Sequence, residues 1–320
     1  MLPMKLLDWI DKTKIDFTYI SAIPQAIELL KENPEKIEWS RLSSNPAAIE
    51  LLTENPKKIN WDYLSMNPNA IKLLKKHPRK INEDYLSLNP NAIKIIKQYP
   101  KKISWSRLSL NPNPDIIAYL KKNTKKIIWT QLSSNKNAID IIKNNLDKIS
   151  WDILSANPAA IEILKVNPHK INWFSFSLNP HPDAIEILKK NQDKIDWDDL
   201  SENINALELL KTNLDKINWY ILSANPCAIE LLKQNPSYIN WSQLSRNINA
   251  IEILKENQDK IDWTYFSANP AIFTYDYEKM RDSNQDLKEE IIAKALHPKR
   301  IFRLIEEYGE NEIYNIYFDE

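Results

Sequence analysis

A tandem repeat of 22 residues constrains the fold of this chain more than any other feature. Segments of the form K-I-x-W-x-x-L-S-x-N-P-x-A-I-x-L-L-K recur along residues 17–269. The interval between them is 22 residues except at two places, where it is 24. Because a fixed period of this length is typical of repeat architectures, we expect an all-α solenoid of about twelve units. Its register positions are Phe17, Trp39, Trp61, Glu83, Trp105, Trp129, Trp151, Trp173, Trp197, Trp219, Trp241 and Trp263.

Each repeat carries the signals of two helices. In the third repeat, Asn67 and Pro68 predict the start of a longer α-helix, since Asn is a good N-cap and Pro is tolerated at the first helical position. Apolar residues at helical spacing follow over 70–74, and Asn before Pro, as at Asn55, predicts a left-handed cap at the end of this helix. Residues 59–65 predict a second, shorter helix of α or 3₁₀ type.

Helices this short are marginal alone in water, so we expect neighbouring repeats to bury their Ile, Trp and Leu columns against each other. On this interpretation the indoles belong to the core, and Glu83 marks a repeat that lacks its large residue. Units spaced roughly 8–10 Å apart would give an open path on the order of 100 Å. An open array needs capped ends, which predicts an N-terminal cap over 1–16, the solenoid over 17–269 and a helical C-terminal cap over 270–320.

Two helices are expected in the C-terminal segment, over 284–296 and 299–308, because a His-Pro pair separates two apolar periodic stretches there. The apolar tail over 313–318 should dock back onto the fold. A separate functional module in residues 270–320 is an alternative to the cap.

The pattern N-P-x-A-I-x-L-L-K-x-N-P-x-K-I-x-W resembles that of tandem-repeat proteins found in giant, nucleocytoplasmic large DNA viruses, over nearly the whole chain including H-P-K-R-I-F-R-L at 297–304. The 24-residue repeats, N-P-N-P-D at 111–115 and N-P-H-P-D at 179–183, also resemble the leucine-rich repeat variant. That resemblance implies a right-handed superhelix in which an α-helix alternates with a 3₁₀-helix. The iron–sulfur module of one such protein type cannot be carried over, because Cys227 is the only cysteine.

Composition excludes several kinds of chemistry. With Gly309 as the only glycine, phosphate-cradling loops and dinucleotide folds are excluded. A single cysteine cannot form an internal disulfide or a cysteine-based zinc site. The sequence shows neither a signal-peptide core nor an apolar stretch of membrane-spanning length. We therefore expect no cofactor and no membrane partner, and a location in host cytoplasm, a virus factory or the virion rather than outside the cell.

The repeated polar residues indicate structure rather than catalysis. Ser occupies the fourth position after the register residue in all twelve repeats, which favours a hydroxyl that satisfies nearby backbone over a nucleophile. The four histidines stand at different repeat positions without metal-ligand spacing. Adjacent acidic pairs such as Asp198 and Asp199 should point apart on a helix. We expect no catalytic or metal site and no small-molecule substrate; a tryptophan ladder that stacks bases is a weaker alternative to the core interpretation.

Charge is the informative signal for function. Lys stands three residues before the register position in eleven repeats, each lysine just beyond a helix C-terminus, where a cation is favoured. In the early repeats the preceding residue is also basic, whereas in later repeats it is Asp. Residues 61–130 contain 14 basic and 4 acidic residues, and residues 261–320 contain 7 basic and 13 acidic ones. The candidate contacts for an anionic partner are Arg79, Lys80, Lys101, Lys102, Lys125 and Lys126.

These observations predict a non-catalytic scaffold, viral in origin, that binds another macromolecule. The leading hypothesis is binding of a host or viral protein. The alternative is contact with the backbone of RNA or DNA through the basic residues of 61–130. The charge asymmetry also allows head-to-tail self-association, and a solvated surface without a partner remains a further alternative.

Overall fold

The structure is a computed structural model that describes residues 2–101, 103–310 and 312–313. Its two short strands, β1 (Met4–Leu6) and β2 (Phe273–Tyr275), form a two-stranded sheet. The α-helices of the described residues are α1 (Phe17–Ile20), α2 (Ile27–Glu32), α3 (Trp39–Ser44), α4 (Ile49–Glu54), α5 (Trp61–Met66), α6 (Ile71–Lys76), α7 (Glu83–Leu88), α8 (Ile93–Gln98), α9 (Trp105–Leu110), α10 (Pro114–Lys121), α11 (Trp129–Ser133), α12 (Ile139–Lys143), α13 (Trp151–Ser155), α14 (Ile161–Val166), α15 (Trp173–Ser177), α16 (Pro182–Lys189), α17 (Trp197–Glu202), α18 (Leu207–Lys211), α19 (Trp219–Ala224), α20 (Ile229–Gln234), α21 (Trp241–Ser245), α22 (Ile251–Glu256), α23 (Trp263–Ser267), α24 (Tyr277–Ser283), α25 (Gln285–Ala295) and α26 (Pro298–Tyr308).

Short 3₁₀-helices connect many of these helices. They span Lys12–Lys14, Pro24–Ala26, Pro34–Lys36, Pro56–Lys58, Pro78–Lys80, Thr124–Lys126, Lys136–Ala138, Pro158–Ala160, Pro168–Lys170, Gln192–Lys194, Leu214–Lys216, Pro236–Tyr238, Gln258–Lys260 and Pro270–Ile272. The predicted helical-repeat solenoid is therefore confirmed, with two α-helices in each of the first eleven repeats, one in the twelfth, and a 3₁₀-helix leading into most register positions.

The helix after each Asn-Pro pair is shorter than the sequence suggested. In the third repeat α6 begins at Ile71, because residues 68–70 form a turn that Asn67 caps by accepting a hydrogen bond from the backbone N of Asn69 at 3.0 Å. In most repeats the two helices are thus of nearly equal length. The 24-residue repeats differ, since their two extra residues let α10 and α16 begin at proline and reach eight residues.

The left-handed cap expected at the end of the second helix was wrong. Asn55 has φ −122° and ψ 59°, and Gly309 alone has a positive φ among the described residues. The Asn55 side chain instead donates from Nδ2 to the carbonyl oxygen of Leu51 at 2.9 Å. An amide group satisfies an orphan carbonyl of the helix end in this way, so no left-handed residue is needed.

The core follows a few columns of the repeat. The Leu three residues after the register position, the Ala nine after it and the last Leu of the second helix are fully buried, as are Leu64, Ala70 and Leu74 of the third repeat. The register tryptophans are only half-buried. The prediction that the indoles fill the interior was therefore wrong in degree: the Leu and Ala columns form the core, and the indoles lie at its edge.

The chain forms two compact bodies. The repeat body spans residues 6–273 and contains all twelve register positions. The terminal body spans residues 1–5 and 274–320; its described part contains α24, α25 and α26, and the backbone N of Asp276 donates to the oxygen of Pro3 at 3.0 Å. The two C-terminal helices expected from the sequence are confirmed as α25 and α26. In the apolar tail over 313–318 that was expected to dock back, Ile313 is buried and the other residues lie outside the described part of the chain. The boundaries and capping roles assigned to 1–16 and 270–320 stay predictions.

The repeat body closes on itself. The first helices of successive repeats pack side by side along the array, and α1 of the first repeat packs against α23 of the twelfth. The open path expected from the sequence is corrected accordingly, since the first and last repeats are neighbours. We call the contact between any two neighbouring repeats a joint, and the joint between the twelfth and first repeats the seam.

Candidate interaction surface

Serine side chains form hydrogen bonds across all twelve joints, and asparagine side chains do so across eleven of them. In the third repeat, Ser65 Oγ donates to the carbonyl oxygen of Trp61 at 2.8 Å and accepts from the backbone N of Asn82 in the next repeat at 2.9 Å. The same pair of bonds recurs in all twelve repeats, and at the seam Ser267 Oγ accepts from the backbone N of Asp16 at 2.8 Å. The structural role predicted for this serine is confirmed.

Asparagine adds a second set of bonds that sequence reasoning missed. Asn67 Nδ2 donates to the carbonyl oxygens of Ser43, at 3.0 Å, and Asn45, at 2.8 Å, both in the preceding repeat. The pattern Asn-Pro indicated only a helix cap, and the acceptors become visible once repeats are stacked. Eleven such residues donate across joints: Asn45, Asn67, Asn89, Asn111, Asn135, Asn157, Asn179, Asn203, Asn225, Asn247 and Asn269.

We call the lysines that stand three residues before the register positions the lysine ladder. Nine of them lie over the aromatic ring of a register residue. Lys80 Nζ is 4.7 Å from the ring centre of Trp61, and Lys126 Nζ is 5.0 Å from that of Trp105. Similar contacts are made by Lys14, Lys36, Lys58, Lys148, Lys194, Lys216 and Lys260. Tyr238 replaces the lysine of its repeat by stacking on Trp219 at 4.8 Å. Each exposed cation–π contact is worth about 0.5–1 kcal/mol, so these ladder lysines also stabilise the fold.

The remaining candidate residues are exposed cations. Arg79, Lys101 and Lys125 lie at equivalent positions of three consecutive repeats, so the structure brings them to one edge of the array. Lys102 lies outside the described residues. Of the six candidates, Lys80 and Lys126 contact tryptophan, and only the other three described ones present their charge without an aromatic partner.

A second group of lysines, on the second helix of ten repeats, was not identified from the sequence. Five repeats carry an ion pair between Glu and the Lys three residues later, for example Glu208–Lys211 at 2.7 Å and Glu230–Lys233 at 2.9 Å. In the third and fourth repeats, Lys72 and Lys94 occupy the Glu position. The replacement of Glu by Lys in these two repeats was the sequence signal that could have revealed this group.

At one joint, lysine occupies both of the positions that form an ion pair across the first joint. In the first joint, Lys31 Nζ lies 3.8 Å from a carboxylate oxygen of Glu50 in the next repeat. The corresponding residues of the third and fourth repeats are Lys75 and Lys94. Two like charges held at the spacing of the Lys31–Glu50 pair would repel by roughly 1 kcal/mol in water, and a bound anion would relieve such repulsion.

We define the basic surface as the exposed cations that these two groups contribute to the third, fourth and fifth repeats. Its members are Lys72, Lys75, Arg79, Lys94, Lys97, Lys101, Lys121 and Lys125. In the fifth repeat Ala118 stands at the Glu position before Lys121. None of the eight takes part in an ion pair described for the resolved parts of the chain.

Acidic side chains lie beside one edge of the basic surface. A surface cavity of about 390 Å³ is lined by Arg79 and Lys80 together with Asp62, Glu83 and Asp84. The local field is therefore mixed in sign at this edge, whereas α6 and α8, which carry the second-helix lysines of the third and fourth repeats, contain no acidic residue.

The later repeats present a different surface. A cavity of about 350 Å³ between the ninth and eleventh repeats is lined by the apolar Ile204 and the exposed Tyr220, with Glu202 and Arg246 also at its wall. Nearby, burial and the charges of Asp196, Glu202 and Asp198 raise the pKa of Asp199 to about 6. Asp199 Oδ2 is buried without a hydrogen-bond partner among the described residues.

Within residues 2–101, 103–310 and 312–313, no three His, Cys, Asp or Glu side chains are grouped to hold a metal ion. No helix in the same residues combines the length and apolar character needed to cross a bilayer.

Comparisons with protein-family models, with curated proteins and with solved structures found no match. The resemblance to repeat proteins of giant viruses stays a prediction.

Proposed function

We propose that this chain is a non-catalytic scaffold that binds another protein, and that the partner presents an acidic face to the basic surface. The supporting observation is the set of second-helix lysines in the third to fifth repeats, where Glu–Lys pairs of other repeats are replaced by unpaired lysine. The repeated joints hold these cations at fixed positions, and complementary charge speeds and orients docking. Viral origin, and action in host cytoplasm, a virus factory or the virion, belong to the same proposal.

A protein partner suits the edge of the basic surface better than a nucleic acid does. Asp62, Glu83 and Asp84 line the same cavity as Arg79, and carboxylates there repel a phosphate backbone. An acidic protein face that includes a few basic side chains can pair with both signs. Tyr63, 38% exposed beside Asp62, adds an aromatic contact of the kind enriched in protein interfaces.

Nucleic acid is the second candidate, because Arg79, Lys101 and Lys125 repeat at regular intervals along one edge. A contact with several phosphates predicts that the logarithm of the binding constant falls steeply and linearly with the logarithm of salt concentration.

Charge variants separate these functions. Lys72→Glu combined with Lys94→Glu restores the Glu–Lys spacing of the other repeats, so the fold should be retained. The matched control is Lys211→Glu with Lys233→Glu, which changes the charge equally in the later repeats. Binding of fluorescent polyglutamate, as the acidic polypeptide probe, and of 20-mer single- and double-stranded DNA is measured by anisotropy over a salt series.

We expect polyglutamate to bind the native chain and the control variant, and to bind the Lys72/Lys94 variant at least tenfold more weakly. DNA binding that is stronger than polyglutamate binding, and lost in the same variant, would favour the nucleic-acid candidate. Equal binding of either probe by both variants would contradict a role for the basic surface.

A further inference from the structure

The twelfth repeat is assembled from the two ends of the repeat body. Residues 263–273 supply its first helix and the turn that follows. In most other repeats the chain continues through a second helix into a 3₁₀-helix and the next register position. Here that last part comes from the N-terminal side, where the 3₁₀-helix Lys12–Lys14 leads through Asp16 to the register residue Phe17.

The N-terminal segment, residues 6–16, docks onto the twelfth repeat through several contacts. Leu7 donates from its backbone N to the oxygen of Ile272 at 3.0 Å, in addition to the bond from Asp16 to Ser267. The rings of Trp9 and Phe266 are 5.7 Å apart. Within the segment, Leu6, Ile10 and Ile15 are buried.

The seam repeats the contacts of the other joints with one omission. Lys14 lies 5.1 Å from the ring centre of Trp263, as ladder lysines do elsewhere. The interface Asn of the other eleven joints, however, is replaced in the first repeat by Ile23, whose side chain cannot donate. The seam is also the one joint whose two sides are not consecutive in the chain, since Asp16 and Ser267 are 251 residues apart.

We propose that the twelfth repeat can also accept the N-terminal segment of a second copy of this chain, which makes the seam a self-association site. The contacts that dock the segment involve no covalent connection, so they form equally well between two chains. Within one chain the segment is held near its site at an effective concentration on the order of mM. The closed single chain therefore dominates in dilute solution, and exchange occurs when each chain's own seam is weakened.

A complementation experiment with full-length chains tests this site. The first variant, Trp9→Ala with Lys14→Glu, has a defective segment and an intact twelfth repeat. The second, Trp263→Ala with Ser267→Ala, has an intact segment and a defective twelfth repeat. Neither can form a good seam alone, whereas a mixture can form one between the intact segment of the second and the intact repeat of the first.

Native mass spectrometry and light scattering are applied at protein concentrations on the order of 0.1 mM, below the mM effective concentration of an intramolecular joint. Each variant alone should keep the single-chain mass of 37.6 kDa. The mixture should contain a heterodimer of twice that mass, and the native chain should stay monomeric.

A mixture that remains entirely monomeric would overturn the proposal. Dimers of either variant alone would overturn it as well, because association would then use another surface. Circular dichroism checks that the variants keep their helices. Should a double variant unfold, the single substitutions Lys14→Glu and Ser267→Ala replace it, with the same expected and contrary results.

Discussion

At the scale of single residues, the interface asparagine links three pieces of backbone. Asn67 accepts from Asn69 in its own turn and donates to Ser43 and Asn45 of the preceding repeat, and it is fully buried. Removing such a group leaves buried carbonyl oxygens without a donor, which costs about 1–3 kcal/mol. The joints thus depend on polar groups inside the core as well as on apolar packing.

We expect Asn67→Ala to lower the free energy of unfolding by about 1–3 kcal/mol. The matched control is Asn69→Ala, which removes one exposed bond to the oxygen of Pro46 and should change stability by less than about 0.5 kcal/mol. Urea unfolding followed by circular dichroism measures both. Equal destabilisation by the two variants would contradict the role assigned to the interface asparagine.

Asp199 should make stability depend on pH. Because the folded state raises its pKa from 3.8 to about 6, the folded chain holds a proton that the unfolded chain has released between these values. This residue's contribution to stability therefore falls as pH rises from about 4 to about 6. Asp199→Asn should unfold at a higher temperature than the native chain at pH 7, with the difference shrinking towards pH 4. A constant difference across this range, in thermal unfolding scans, would rule out the raised pKa as its cause.

Residue roles were predictable where repetition itself was informative. A serine present in every repeat indicated a structural hydroxyl, which the structure confirms. The interface bonds of Asn67 were not predictable, because their acceptors lie in another repeat, 22 and 24 residues earlier. The half-burial of the indoles was missed because a repeated Trp can be covered either by a lysine side chain or by apolar neighbours. The sequence pattern is the same in both cases.

At the scale of elements, α7 tests how far one repeat can differ from the others. Glu83 begins this helix where ten repeats have Trp, yet α7 has the same six-residue length as α5 and α9. Leu86 and Ser87 remain buried. Since the register residue lies at the edge of the core, its loss leaves the backbone unchanged and should weaken the local packing.

Glu83→Trp should therefore stabilise the fourth repeat. A half-buried indole adds apolar contact, and we expect the free energy of unfolding to rise by about 1 kcal/mol, less than for full burial of a large side chain. Hydrogen exchange should show increased protection in α7 and α8. The control Asp84→Trp, one residue along the exposed side of the same helix, should give no such gain; a gain there would point to a non-specific effect of apolarity.

Helix positions were largely predictable and helix ends were not. The Asn-Pro signal correctly located the second helix of each repeat but not its first residue, because Asn67 caps a turn instead. In the 24-residue repeats the same kind of signal did mark the helix start, at Pro114 and Pro182. One or two residues of spacing decide between these outcomes, and local propensity alone does not resolve them.

At the scale of the whole molecule, closure of the repeat body was the feature furthest from prediction. The angle between neighbouring repeats results from many small packing contacts, so no single repeat indicates whether twelve of them will meet. One signal was present: residues 11–17, D-K-T-K-I-D-F, match the second half of a repeat, and the twelfth repeat lacks that half. Reading these two fragments as one repeat would have predicted the seam.

Two proline substitutions, at equivalent positions of the seam and of an internal joint, test what holds the seam closed. Asp16 donates its backbone N–H to Ser267 at the seam, and Asp262 donates in the same way to Ser245; each aspartate also caps the helix that follows. Their φ angles of −84° and −81° are near the value that proline requires. Asp16→Pro and Asp262→Pro thus remove the same bond and the same cap from joints that differ in chain continuity.

We expect Asp16→Pro to open the repeat body, because no peptide linkage holds the two sides of the seam together. Amide exchange should then accelerate in residues 6–20 and 263–273 together, and the Stokes radius should increase. Asp262→Pro removes the equivalent interactions and also the bond that Asp262 Oδ2 accepts from Ser242 Oγ at 2.8 Å, so its loss of stability should be at least as large. Its two repeats nevertheless stay tethered by the chain, and the Stokes radius should not change. If both variants expanded alike, or if neither did, the hydrogen bonds at the seam would not be what keeps the first and twelfth repeats together.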